Sequence, residues 1–183
     1  MDNYPAHLAP EFDEGGGVAT RFEEWWPAVQ RSFPHVPEEV ARDWVHRHWN
    51  HSPFGWLPSA PYRFRLIDWP AKRVCEIRTI WNDYAADPTQ PIAHGRYLVE
   101  EHRVQLGYKL ADYMVEHGTF PVPPVMLDNS DGHLTNERGS SVVYPAGFIL
   151  VEGHRRFNIA AYLELDSRLH KTVPFWLMER VAR

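Results

Sequence analysis

The chain has 183 residues, 44% of them hydrophobic and 23% charged, with a formal net charge of −5, one cysteine and eight tryptophans. This is long enough for one sizeable core, and too balanced for a disordered or fibrous chain. It is too acidic for a protein that coats nucleic acid, and its lone Cys75 excludes an internal disulfide framework and a multi-cysteine zinc site.

In chain order, residues 1–17 combine prolines, acids and the run Gly15-Gly16-Gly17, which offer little to bury and predict a mobile arm. Thr20 with Glu23 three residues on has the capping-box pattern, and Phe22, Trp25, Trp26 and Val29 supply the apolar stripe of a first helix. Pro37 opens a second helix, with Val40, Trp44 and His48 along one face. His46, His48 and His51 lie near Asp43, but the i, i+4 spacing of a helical zinc pair is missing, so no metal site is assigned. Residues 52–58 read as a loop, and Tyr62, Phe64 and Leu66 alternate with Arg63 and Arg65 as a half-buried strand. A helix is favoured from Pro70 to Tyr84, and a longer one runs from His94 to His117, carrying Leu98, Leu106, Leu110, Tyr113 and Met114 and stopped by Gly118.

The texture changes after Gly118. Val122–Leu127 reads as a short strand broken by Pro123 and Pro124, residues 128–141 as a polar loop, and Phe148–Val151 as a buried strand. A helix to about Leu165 and a closing strand over Val173–Met178 follow. The pattern implies an α/β (α+β) fold with a helical N-terminal region at 18–117 packed on a core at 118–183. No apolar window approaches the length of a membrane span and no signal peptide is read, so a cytoplasmic protein is expected.

At the joint between strand and helix stands Glu152-Gly153-His154-Arg155-Arg156. A helix N-terminus offers unpaired N–H groups and a positive dipole end, glycine lets a ligand approach, and guanidinium forks match phosphate oxygens. Glu152 and His154 are the catalytic candidates, each able to orient a reacting group or move a proton. Gly153, His154, Arg155 and Arg156 are the phosphate-binding candidates. Asp128, in the polar loop that follows Val122–Leu127, is added as a ligand-facing acid. The same spacing also suits a solvated helix surface on which Glu152 balances the arginines.

The segment Phe148-Ile-Leu-Val-Glu-Gly-His-Arg-Arg-Phe-Asn-Ile-Ala-Ala-Tyr-Leu163 resembles the ParB/sulfiredoxin-like superfamily. In that family an apolar strand runs into an acid-Gly-His-Arg or Gly-Glu-Arg-Arg turn and then a helix with small residues. Phe120–Leu127 resembles its Pro-rich entry strand and Val173–Met178 its closing strand, so the resemblance covers about residues 118–183. It implies a small mixed-sheet core and a nucleoside di- or triphosphate, with Mg²⁺, held at Gly153–Arg156. Gly153 stands where sulfiredoxins carry a catalytic cysteine, which removes that chemistry. His154 and Asn158 replace a glutamate and an arginine of the partition proteins, and the turn is closer to kinase-like, phage and mobile-element relatives. The resemblance therefore implies a phosphotransferase or nucleotide hydrolase. A DNA-directed nuclease or regulator, and a non-catalytic module holding a protein partner through its tryptophan-rich N-terminal region, are the alternatives.

Overall fold

A computed structural model describes residues 6–52, 62–135 and 143–181. Most of the expected loop at 52–58 and the end of the one at 128–141 therefore lie outside the described residues. The fold is α+β, with helices and one four-stranded sheet in the order β1-β4-β2-β3. Its strands are β1 (Tyr62–Pro70), β2 (Val125–Asp128), β3 (Phe148–Glu152) and β4 (Thr172–Arg180). The chain divides into two compact units, residues 1–64 with 178–183 and residues 65–177.

In the first unit, helix α1 (Phe22–Val29) buries Phe22, Trp25, Trp26 and Val29, the stripe read from its spacing. The capping box is not formed. Arg21 is the N-cap without a side-chain bond, and Thr20 Oγ1 instead accepts from Glu11 N at 2.9 Å. The segment from Ala6 is not a free arm: Trp25 Nε1 donates to Leu8 O at 2.8 Å and Phe12 bridges Val18 antiparallel. Helix α2 (Glu38–Val40) opens after Pro37 and widens into a π-helix over Ala41–His46, burying Val40 and Trp44. The rings of Phe22, Trp25, Trp26, Phe33 and Trp49 pack on one another with centroids 5.7–6.5 Å apart. This aromatic cluster is the unit's core, so here the tryptophans fill space.

The second unit holds the long stretch expected as one helix from His94. It begins earlier, as α3 (Thr89–Arg96), passes through a π-helix at Tyr97–His102 and ends as α4 (Arg103–Leu106). Gly107, at φ +62°, breaks it, and α5 (Lys109–His117) restarts the helix and stops at Gly118, φ +60°. Pro91 is tolerated because it lies in the first turn of α3, where an N–H has no partner to lose. Residues 70–84 form two 3₁₀ segments, Ala71–Glu76 and Ile80–Asn82, rather than an α-helix. In β1 the alternation slips: Tyr62 and Trp69 are buried while Leu66 is 55% exposed.

Helix α6 (His154–Leu165) is the centre of this unit. Phe157, Ile159, Ala160 and Leu163 are buried with Met126 and Leu150 of the sheet, Phe175 and Leu177 of β4, and Leu98 and Met114 of the neighbouring helices. Strands β2 and β3 pair antiparallel, Asp128 opposite Phe148 and Met126 opposite Leu150. Arg78 adds a parallel bridge to the other edge of β3, with Arg78 N donating to Phe148 O at 2.8 Å and Leu150 N to Arg78 O at 2.7 Å. That pairing brings the 79–85 segment next to the α6 N-terminus.

Residues 65–117 group with 118–177, so the compact unit starts well before the expected boundary at 118. The physical reason is the crossing of α3 on α6. A Cβ on Gly95 would lie 1.9 Å from Asn158 O and 2.9 Å from Tyr162 Cβ, so the helices meet backbone to backbone. Tyr162 adds a hydroxyl bond to the Glu100 carboxylate.

Candidate functional site

At the end of β3 the chain turns through Gly153, φ +93°, and enters α6 with no side-chain cap. Glycine is required twice over: the conformation is one that L side chains rarely adopt, and a Cβ would stand 2.8 Å from Pro124 Cβ. The first intrahelical bond runs from Phe157 N to Gly153 O at 2.9 Å, so the N–H groups of His154, Arg155 and Arg156 have no carbonyl of their own helix to bond.

The two arginines part company here. Arg156 folds back, donating from Nη1 to Val122 O at 2.7 Å and from Nη2 to the Glu152 carboxylate. Its side chain is 11% exposed and that of Glu152 13%. This fork ties the β3 end to the Pro-rich segment before β2 and sets the turn in place. Arg155 is exposed on the outer face of the helix. It lies close enough to His94 to help depress that imidazole's pKa, a smaller effect than the burial of His94 itself. Of the two expected phosphate ligands, Arg155 is thus the outward one and Arg156 the fastener.

His154 stacks on Trp81, ring centroids 4.9 Å apart and planes 20° apart. Trp81 also contacts the His94 ring at 5.5 Å, and His94 stacks on Tyr97 at 6.2 Å. None of Trp81, His94 and Tyr97 was expected from the sequence to belong to the site. Trp81 is 43% exposed. It is held out by a tight turn in which Asp83 and Tyr84 take consecutive left-handed conformations, φ 52° and 56°, and Tyr84 N donates to Thr79 O at 2.9 Å. Two non-glycine residues in that region signal a turn over-determined by its surroundings, here by Tyr84 packing against Tyr144 at 5.4 Å.

A cleft of about 80 Å³ opens between α3 and α6, lined by Trp81, Gln90, Pro91, His94 and Asn158. Asn158, one turn into α6 from His154, is 2% exposed and donates from Nδ2 to His94 Nδ1 at 2.8 Å. That bond leaves the His94 proton on Nε2. The Asn158 Oδ1 atom is buried without a hydrogen-bond partner.

Asp128 stands apart from this arrangement. Its Oδ1 accepts from Ser130 N at 2.9 Å, forming a local turn at the end of β2. The loop beyond is organised by Asn129, a residue the sequence reading passed over. It is fully buried, with Nδ2 donating to Leu134 O at 2.9 Å and Pro145 O at 2.8 Å and Oδ1 accepting from Leu134 N at 2.8 Å. Cys75 is half-buried, and burial, with the Glu164 charge second, pushes its thiol pKa up, away from a reactive thiolate. His46, in the N-terminal unit, bonds Thr20 O at 2.9 Å, and burial lowers its pKa. Among the described residues no three His, Cys, Asp or Glu side chains form a group that could hold a metal ion, and no helix is long and apolar enough to cross a membrane.

Comparison of the chain with protein-family models, with curated proteins and with solved structures gave no match.

Proposed function

We propose that the protein binds the phosphates of a nucleotide at the N-terminus of α6. The observation that carries this reading is the uncapped start of the helix at Gly153, with the exposed Arg155 guanidinium beside it. Three N–H groups without an intrahelical partner, the helix dipole and the exposed Arg155 cation make an anion site, Glu152 being spent on Arg156. The resemblance of residues 148–163 to the ParB/sulfiredoxin-like turn points the same way, and the aromatic surroundings of Trp81 suit a nucleotide better than free phosphate.

Within this reading each residue has a distinct task. Gly153 lets the phosphate approach the backbone, and Arg155 neutralises its charge. Arg156 and Glu152 act as a positioning pair. His154, braced on Trp81, is the side chain suited to donate to a phosphate oxygen or to pass a proton in phosphoryl transfer or hydrolysis. Mg²⁺ would arrive with the nucleotide, bound largely by its phosphate oxygens and water.

Calorimetry with ATP, CTP, GTP and inorganic tripolyphosphate in the presence of Mg²⁺ tests the reading, with the wild type beside Arg155→Glu. A charge-assisted contact contributes about 1.5–3 kcal/mol, so the variant should bind roughly ten- to a hundredfold more weakly. Failure of all four anions to bind, or equal binding by the variant, would overturn it.

A further inference from the structure

The cleft between α3 and α6 holds an uncommon feature, a hydrogen-bond acceptor that is buried and unused. Buried polar groups are almost always paired, because leaving one unpaired forfeits its hydration with nothing in return. Asn158, one of the residues lining the cleft, is 2% exposed, spends its Nδ2 on His94, and keeps Oδ1 buried and unpartnered. The N–H groups within α3 are spent on the helix itself, and Gly95 already packs backbone to backbone against Asn158. A donor entering from the cleft, a water or the ligand group that displaces it, is the way left to satisfy the atom.

The rest of the cleft says what kind of ligand. Trp81 and Pro91 provide flat apolar walls, and Gln90 and Trp81 are exposed to solvent. At about 80 Å³ the cleft admits a few atoms beyond a ring edge and not a whole nucleoside. An amino group projecting from a heteroaromatic ring is the donor that reaches furthest into such a slot. His94, held neutral by its burial and by Arg155, adds no charge that would call for an anion here. The His154 ring on Trp81 links the cleft directly to the helix N-terminus.

Building on the phosphate reading above, we propose that the Trp81–His94–Asn158 cleft is the base subsite of the same nucleotide. Asn158 Oδ1 accepts the exocyclic amino group of an adenine or cytosine ring, Trp81 flanks the ring, and the phosphates run toward Arg155.

The test titrates the full chain, by calorimetry and by NMR of the Asn158 side-chain amide, with ATP, CTP, their amino-free analogues (the triphosphates of purine riboside and of 2-pyrimidinone riboside), tripolyphosphate and free adenosine and cytidine. ATP or CTP is expected to bind at least about fivefold tighter than its amino-free analogue, the yield of one hydrogen bond to an otherwise unpaired group. Trp81→Ala, a change at an exposed side chain that also braces His154, should lower that preference, read as the ratio of ATP or CTP to amino-free analogue affinity, beyond any weakening of tripolyphosphate binding. Equal affinity for the amino-bearing and amino-free compounds, or an Asn158 amide signal that stays fixed at saturation, would overturn the base subsite and leave the phosphate reading intact. Adenosine or cytidine that shifts the Asn158 signal while tripolyphosphate does not bind would support the subsite and overturn the phosphate reading. Absence of binding by every compound would overturn both.

Discussion

Gly95→Ala sets two effects of known sign against each other. Helix α3 should gain from the change, because alanine is about 1 kcal/mol better than glycine in a helix interior. Against this, the new methyl carbon would lie 1.9 Å from Asn158 O and 2.6 Å from Asn158 C. A close C···O contact is roughly 3.3–3.6 Å, so α3 and α6 must part by about 1.4 Å. Both neighbours at the contact are rigid backbone, and Tyr162 Cβ at 2.9 Å blocks a sideways escape. Overpacking in a well-filled core costs about 1–3 kcal/mol and more where nothing can yield. The crossing also aligns His94 with Asn158, a bond of 2.8 Å that the separation would break. The contact wins, and a net loss of about 3 kcal/mol is expected, a large share of the 5–15 kcal/mol that holds a typical domain together. Urea unfolding followed by circular dichroism measures it. The control is Gly107→Ala, where φ is +62° and no atom lies within 4 Å, so only backbone strain of about 1 kcal/mol applies. A Gly95→Ala protein as stable as the wild type, or more stable, would refute the close crossing of α3 and α6.

Three further outcomes follow from the turn and its surroundings. Gly153→Ala should cost about 2–4 kcal/mol, strain at φ +93° plus a 2.8 Å clash with Pro124 Cβ, whereas Gly132→Ala, at φ +67° with nothing within 4 Å, should cost only about 1; equal melting temperatures for the two variants would contradict the close packing at Pro124. Glu152→Gln leaves the Arg156 guanidinium, 11% exposed, without its counter-charge and should cost about 2 kcal/mol in urea unfolding, and adding Arg156→Met should recover part of the loss, since the buried charge goes with it; strictly additive losses would mean the two side chains act independently. Burial, aided by Arg155, lowers the His94 pKa below 6.5, so below that pH the unfolded chain binds the proton more readily and stability falls as pH drops toward the folded value. In Arg155→Ala the His94 titration, followed by imidazole NMR, should move upward, and an unmoved midpoint would place Arg155 away from His94.

Local pattern made much of this protein readable from its residues. A continuous apolar run made β3, the following helix ended at Leu165 as read, and the Phe22–Val29 stripe turned inward as its 3.6-residue period requires. The strand-to-helix turn was likewise legible, because a glycine between an apolar strand and a helix rich in apolar and small residues has few other uses. Breaks were read less well. Gly107 was visible, yet one glycine inside a helical period is often tolerated, and only the left-handed conformation it adopts marks a stop.

What the linear order could not decide is which partner each polar group takes. Arg155 and Arg156 are adjacent and chemically identical, but successive residues on a helix point about 100° apart, so one meets Glu152 and Val122 while the other faces outward. Trp81, His94 and Asn158 are spread over 78 positions and carry no common motif. They meet because Arg78 bridges β3 and because α3 crosses α6 at a glycine. Short-range periodicity is written into the chain by the geometry of its own backbone, and so it determined the elements and the turn. The choice of neighbours across the core depends on how those elements pack, and that was decided only when the tertiary structure closed.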